Sequence, residues 1–481
     1  MNTLITSLTL CVKSSVKELI NTFNANGIGI VFVLSDDILV GVVTDGDLRR
    51  SFLNGCTLDS SIIEVMNTDF FSLTVDTSDD VIASSFTSGI KYIPIVNENN
   101  VLIDIATPSK FHRIPIYEPL LCGNELLYTT QCIKDNWISS QGCFVRRFEN
   151  DFSSLHDSQY SLATCNGTSA LHLALLALGI GPGDEVIVPS LTFAATLNAV
   201  LYTGAKPVLC DISSSNLALD VDIIKELLTS KTKAIVLVYL YGIVPEISDY
   251  LDICSSNSLF LVEDCAESLG CSYKKRPLGT FGHSSAFSFF ANKTITTGEG
   301  GMVTFKDQNA YLSAATMRDH GMNPNKRYWH DTLGYNYRMT NLQAAVGCAQ
   351  IESLNTILEK KKFIYSTYHN LLSKYSQFFF FPASSLSAEP ISWLVTIVLL
   401  PRFDRDLFIR ELLSHGIEAR PVFYSLDTMP LYSSYRHTSC NYNQSHYVSN
   451  YGVSLPSSPN LDYAQIEFVA SIISAFFLNC I

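Results

Sequence analysis

Charge is scarce in this chain: Asp, Glu, Lys and Arg supply 16% of its 481 residues, and they balance at −13. So little basic charge excludes nucleic-acid binding, which needs positive charge concentrated on one surface. A phosphorylated small ligand stays possible, because backbone N–H groups and a few side chains can hold a phosphate locally. Long apolar runs are missing as well. The richest window, residues 391–401, is too short to cross a bilayer and is broken by Ser392 and Thr396. Residues 1–12 lack a basic segment and a small-residue cleavage site, so no secretory signal peptide is expected. The thirteen cysteines form no CxxC pair and have no His partners at metal spacing. They read as reduced thiols filling the core of a cytoplasmic protein, with no metal site expected.

What the chain has is apolar mass, 47% hydrophobic, which suits large buried sheets and an interface rather than disorder. Its length calls for two or three domains. The boundaries expected are 1–112, 113–355 and 356–481, with the Pro-punctuated stretch 112–119 as linker.

The first of these carries a degenerate repeat. Gly27-Ile28-Gly29-Ile30-Val31-Phe32-Val33-Leu34 turns through Ser35-Asp36-Asp37 into Leu39-Val40-Gly41-Val42-Val43-Thr44. Gly89-Ile90-Lys91-Tyr92-Ile93-Pro94-Ile95-Val96 turns through Asn97-Glu98-Asn99-Asn100 into Leu102-Ile103-Asp104-Ile105-Ala106-Thr107. Each copy predicts strand, turn, strand and a helix start capped by Thr. The pattern resembles a pair of CBS modules. In that family a Thr-x-x-Asp element holds an adenine nucleotide, so the resemblance assigns Thr44 and Asp47 to that site. The second copy has Lys110 where the Asp should stand, and a Lys cannot accept from ribose hydroxyls. A structural or assembly role and nucleotide sensing are both compatible with this half-complete motif.

Beyond residue 120 strands and helices alternate. Helices are predicted at 170–178, 191–202, 223–228 and 247–255, and strands at 185–189, 207–211, 234–240 and 259–263. This order means a parallel or mixed sheet covered on both faces, with ligands at the carboxyl ends of its strands. Two motifs fall at such ends. Val262-Glu263-Asp264-Cys265-Ala266-Glu267 closes one apolar run in carboxylates, and Ser288-Phe289-Phe290-Ala291-Asn292-Lys293 closes the next in a lysine before Gly298-Glu299-Gly300-Gly301. An Asp and a Lys on neighbouring strand ends are what pyridoxal phosphate (PLP) needs. The amine forms a Schiff base, and the carboxylate keeps the ring nitrogen protonated so that the ring can draw electrons.

With Trp137-Ile138-Ser139-Ser140-Gln141-Gly142, Arg327-Tyr328-Trp329 and Gly334-Tyr335-Asn336-Tyr337-Arg338, these motifs resemble the DegT/DnrJ/EryC1/StrS aminotransferases. That resemblance implies an α/β fold of PLP-dependent fold type I, with a mixed seven-stranded sheet and a large and a small domain behind the CBS pair. It implies Lys293 as Schiff-base lysine and proton carrier, Asp264 at the pyridinium nitrogen and Glu267 near the phenolic oxygen. Gly167, Thr168, Ser169 and Ser288 would hold the phosphate, and Phe193 would stack on the ring. Asn336 would reach the neighbouring subunit's phosphate, making a homodimer with shared active sites. Trp137, Ser139, Tyr239, Arg327, Tyr328, Trp329 and Arg420 would lie near substrate.

The expected reaction moves an amino group from glutamate to a nucleotide-linked 4-keto-6-deoxy sugar, carried on GDP or UDP, for a surface polysaccharide or glycan. Two rivals are a dTDP-3-keto sugar aminotransferase and a non-catalytic regulator that senses PLP or nucleotide. Tyr239 and Asp427 stand where the family usually shows His, which touches the identity of the sugar rather than the cofactor chemistry.

Overall fold

The structure is a computed structural model that describes residues 5, 7–78, 81–82, 85–86, 90, 92–107, 114–156 and 160–479. It divides into two compact units, Met1–Arg113 and Ile114–Ile481.

In the first unit, strand β1 (Thr9–Cys11) pairs parallel with β2 (Ile30–Ser35), which pairs antiparallel with β3 (Ile38–Thr44). The same arrangement recurs in β4 (Leu73–Thr74), β5 (Ile93–Val96) and β6 (Leu102–Ala106). The first hairpin turns on Asp36 and Asp37, both with left-handed φ, the conformation that a tight right-twisted hairpin favours. Thr44 caps the helix Asp45–Leu53 as expected. Lys110 lies outside the described residues.

The second unit is built on a seven-stranded sheet. Its strands are β7 (Tyr160–Thr164), β8 (Glu185–Pro189), β9 (Lys206–Cys210), β10 (Thr232–Val238) and β11 (Phe260–Asp264). After the short pair β12 (Ser272–Tyr273) and β13 (Arg276–Pro277) come β14 (Ser284–Ser288) and β15 (Gly301–Phe305). The order across the sheet is β7-β15-β14-β11-β10-β8-β9, and β15 alone runs antiparallel to its neighbours. Apolar side chains of β10 alternate between two cores: Ile235 and Leu237 join one, Ala234, Val236 and Val238 the other. This two-sided burial explains the unbroken apolar runs in the sequence.

The C-terminal part has a four-stranded sheet. Its members are β16 (Phe379–Phe380), β18 (Val395–Leu399), β19 (Arg420–Pro421) and β20 (Gly452–Leu455), ordered β16-β18-β20-β19; β17 (Ala388–Glu389) pairs with β12 instead. The helices Leu354–Leu372, Arg405–Ser414 and Tyr463–Asn479 pack on a core that includes Phe378, Phe408 and Phe477. Among the described residues no helix is long and apolar enough to cross a membrane.

One expectation needs correction. Residues 114–119 are not a free linker. Ile114 N donates to Gly416 O at 2.8 Å, its own carbonyl takes Glu418 N at 2.9 Å, and Ile116 O takes Ser457 N at 2.8 Å. Ile114 and Ile116 are buried, so apolar contact holds this stretch in the second unit despite its prolines.

Candidate active site

Strands β7, β8, β10, β11 and β14 point the same way, so their carboxyl ends share one edge of the sheet. Sequence-distant groups meet there. Asp264 is the last residue of β11, Lys293 follows β14, Phe193 precedes the helix Ala194–Thr203, and Gly167 opens the helix Gly167–Ala177.

Electrostatics set this cluster apart. Lys293 Nζ lies 3.2 Å from Glu267 Oε1, and the Glu267 Oε2 takes the backbone N–H of Tyr241 at 2.8 Å. The amine also sits 3.7 Å from the centre of the Trp393 ring, whose negative face favours a cation. Asp264 accepts from Thr196 Oγ1 at 2.8 Å and from Ala266 N at 3.2 Å. Burial pushes both the Asp264 and the Glu267 carboxyl above the ordinary range, and the charge on Lys293 works against that rise. The result is two buried acids facing one amine.

The helix beginning at Gly167 offers its first backbone N–H groups beside the end of β14. A Cβ at residue 167 would stand 2.8 Å from Ser288 Cβ, so only glycine lets the two segments approach this closely. Ser169, however, is occupied locally: its N and Oγ both donate to Asn166 Oδ1, at 2.8 and 2.9 Å. Thr168 and Ser288 stay partly accessible, and Phe193 is 59% exposed, a large ring with an open face.

The candidate substrate residues are spread more widely. Trp137 and Ser139 lie on an exposed loop whose backbone is held by Asn341, through Trp137 O at 2.8 Å and Ser139 O at 3.1 Å. Arg327, Tyr328 and Trp329 sit on another exposed loop, with Trp329 Nε1 donating to Asp331. Arg420 pairs with Glu418 at 2.7 Å. Among the described residues no hydrogen bond or ring contact joins Trp137, Ser139, Arg327, Tyr328, Trp329 or Arg420 to Lys293, Asp264 or Glu267. Asn336 is exposed, its Oδ1 taking Arg338 Nε at 3.1 Å.

Tyr239 is a correction. It is fully buried, and its hydroxyl donates to Glu263 at 2.7 Å. Val238 pairs in register with Asp264, so the next side chain, Tyr239, turns to the opposite face of the sheet. Asp427, the other departure, is buried too and accepts from His446 Nε2 at 2.9 Å and from Ser425 Oγ. The two positions therefore form internal pairs.

The sequence reading missed four contributors: Thr196, Tyr241, Trp393 and Tyr117. Tyr241 stacks between Trp393 and Phe423, with centroids 5.9 and 5.5 Å away, and Phe423 in turn meets Phe193 at 5.5 Å. Tyr241 takes a left-handed φ within the turn Leu240–Gly242, a conformation that no local sequence feature marked.

A profile of the DegT/DnrJ/EryC1/StrS aminotransferase family matches residues 121–474. The chain belongs to this family. A CBS domain profile matches residues 5–54, the first of the two repeats. The GDP-perosamine synthase of Escherichia coli O157:H7 is 41% identical over 76% of this chain and 98% of its own length. That of Vibrio cholerae is 40% identical over 76% of this chain and all of its own. Among solved structures, an aminotransferase from Psychrobacter cryohalolentis superposes with a TM-score of 0.71 at 28% identity, covering 75% of this chain and 98% of its own. A Streptococcus pneumoniae protein described as a sugar aminotransferase, in its PLP form, gives 0.71 at 25% identity over 76% and 98%. The chain is thus a PLP-dependent sugar-nucleotide aminotransferase of the DegT/DnrJ/EryC1/StrS family.

Proposed function

We propose that this family member transfers the amino group of glutamate to the C4 keto group of a 4-keto-6-deoxy hexose carried on GDP or UDP. The 4-amino sugar would serve a surface polysaccharide or glycan. The observation that carries the reading is the Lys293 amine held between Glu267 and Trp393, with Asp264 anchored nearby by Thr196. Relatives named GDP-perosamine synthase, at 40–41% identity over nearly their full lengths, favour GDP as the carrier.

The residues fit PLP. Asp264 is a buried acid whose carboxyl is pushed up by burial and which a protonated ring nitrogen would stabilise as the anion. Close approach at Gly167, the first backbone N–H groups of its helix and Ser288 suit a phosphate, and the open face of Phe193 suits a planar ring. Bound PLP supplies an electron sink and carries the amino group between donor and acceptor. Lys293 Nζ would hold the cofactor and would take and return the substrate proton. Glu267 holds that amine in place, and Thr196 orients the Asp264 carboxylate. Ser169 is read here as the donor to the Asn166 helix cap rather than as a direct phosphate ligand.

Asn336, exposed on one chain, is read as a phosphate donor to a second copy, which makes the working unit a homodimer. In the N-terminal module Thr44 and Asp47 form a reciprocal cap: Thr44 N and Oγ1 both donate to Asp47 Oδ2, at 2.9 and 2.6 Å, while Arg50 donates to Oδ1. With the carboxylate so engaged, a structural role outweighs adenine-nucleotide binding.

A coupled assay of the purified protein with glutamate against GDP-, UDP- and dTDP-linked keto sugars tests the reading. Turnover confined to a 3-keto substrate would overturn the C4 assignment.

A further inference from the structure

Two side chains reach Lys293 from different sides, and one buried amine supports both. Trp393 presents its ring to Nζ at 3.7 Å and donates its indole N–H to Asn292 O at 2.6 Å. Tyr117 donates its hydroxyl to the Lys293 carbonyl at 2.9 Å. The backbone on which the reactive lysine stands is thereby gripped at two consecutive carbonyls.

Both grips lead back to Lys361. This lysine lies on the helix Leu354–Leu372, only 1% exposed, in a setting where lysine is rarely found without a charged partner. Its Nζ donates to Trp393 O at 2.7 Å and to Ser457 O at 2.6 Å, and it faces the Tyr117 ring at 4.9 Å. Burial lowers its pKa to about 7. A neutral amine still carries two N–H donors, the number that the two carbonyls require. An apolar side chain could fill the space, but it would leave those carbonyls unpaired and remove the bond that holds the Trp393 carbonyl. Burying an amine is costly, so the amine at this point demands a reason beyond packing.

We propose that Lys361 is a positioning residue for amino transfer, fixing the placement of Lys293 through Trp393 and Tyr117. The proposal rests on the reading of Lys293 as the residue that bonds the cofactor. Placement matters because proton transfer at the substrate carbon needs the amine within hydrogen-bond reach, and a displacement of about 1 Å can cost about 100-fold in rate.

The test uses holoenzyme: wild type, Lys361→Met, Tyr117→Phe and the double variant, each followed through a single turnover with glutamate. Lys361→Met is expected to bind glutamate with a dissociation constant within about twofold of wild type, while the rate at saturation falls about 10-fold or more. Tyr117→Phe keeps the ring, loses the hydroxyl and is expected to slow the step about threefold. The double variant should lose less than the product of the two, because both substitutions act on one placement. Borohydride reduction of each variant, followed by peptide mass spectrometry, checks the underlying reading separately. Cofactor fixed to another residue would overturn both the Lys293 assignment and this proposal. Cofactor fixed to Lys293, with a wild-type rate in Lys361→Met, would overturn the proposal alone. Should Lys361→Met yield no folded holoenzyme, Tyr117→Phe and Trp393→Phe decide: slowed turnover at unchanged glutamate affinity supports it, and wild-type rates in both overturn it.

Discussion

Lys293 and Glu267 form a buried ion pair, 3.2 Å from Nζ to Oε1, with side chains 13% and 6% exposed. Removing one partner of such a pair strands the other charge away from water. Glu267→Gln keeps an acceptor for Tyr241 N but leaves Lys293 without its counter-charge. It should destabilise the cofactor-free protein by about 3 kcal/mol, read as a lowered urea midpoint. An unchanged midpoint would mean that Trp393 and Asp264 suffice to stabilise the amine.

Asn336 should matter only between chains. Asn336→Ala removes one phosphate donor, and a charge-assisted hydrogen bond of that kind is worth about 2 kcal/mol. Cofactor retention should fall while the unfolding transition stays put. Mixing Asn336→Ala with Lys293→Ala protein should restore activity in heterodimers with one intact composite site. Full activity in a stable monomer would refute the shared site.

Much of this arrangement was legible in the sequence. Strands 185–189 and 207–211 and the helix at 247–255 match observed elements to within a residue or so, because unbroken apolar runs bounded by Gly, Pro and Asp leave little choice. Asp264 and Lys293 stood out for the same reason: each ends such a run. Trp393, Tyr117 and Lys361 were not legible. They reach Lys293 across 68 to 176 residues of chain, and nothing local marks a tryptophan in a small-sheet segment or a lysine on a long helix as neighbours of a distant loop. Tyr239 was misplaced although the information existed. Strand parity sets it beside Leu237 and Ile235, opposite to Val238 and hence opposite to Asp264.

In the N-terminal module, Asp47→Ala should cost about 1 kcal/mol through loss of its half of the capping box with Thr44, lowering that module's melting temperature. Deleting residues 1–112 should leave the transamination chemistry intact, because every group assigned to it lies in the second unit. Calorimetry with AMP and ATP checks the alternative role. Tight binding that Asp47→Ala abolishes would restore the nucleotide-sensing reading.

Acid should weaken the second unit in a defined window. His156 is 3% exposed and stacks on Phe152, and burial lowers its pKa from 6.5 to about 4. Below pH 6.5 the unfolded chain takes up a proton that the folded chain refuses until about pH 4. Stability is therefore lost as pH falls through that range, by about 3 kcal/mol from this residue. His156→Leu should flatten the acid side of the stability–pH curve measured by chemical denaturation. An unchanged slope would assign the loss to other groups.

The central claim is that Lys293 is the residue on which the cofactor rests. Purified protein treated with borohydride and digested should yield one cofactor-modified peptide, carrying the adduct on Lys293. Lys293→Ala should lose both the adduct and turnover. An adduct on any other lysine, or turnover surviving in Lys293→Ala, would contradict the account.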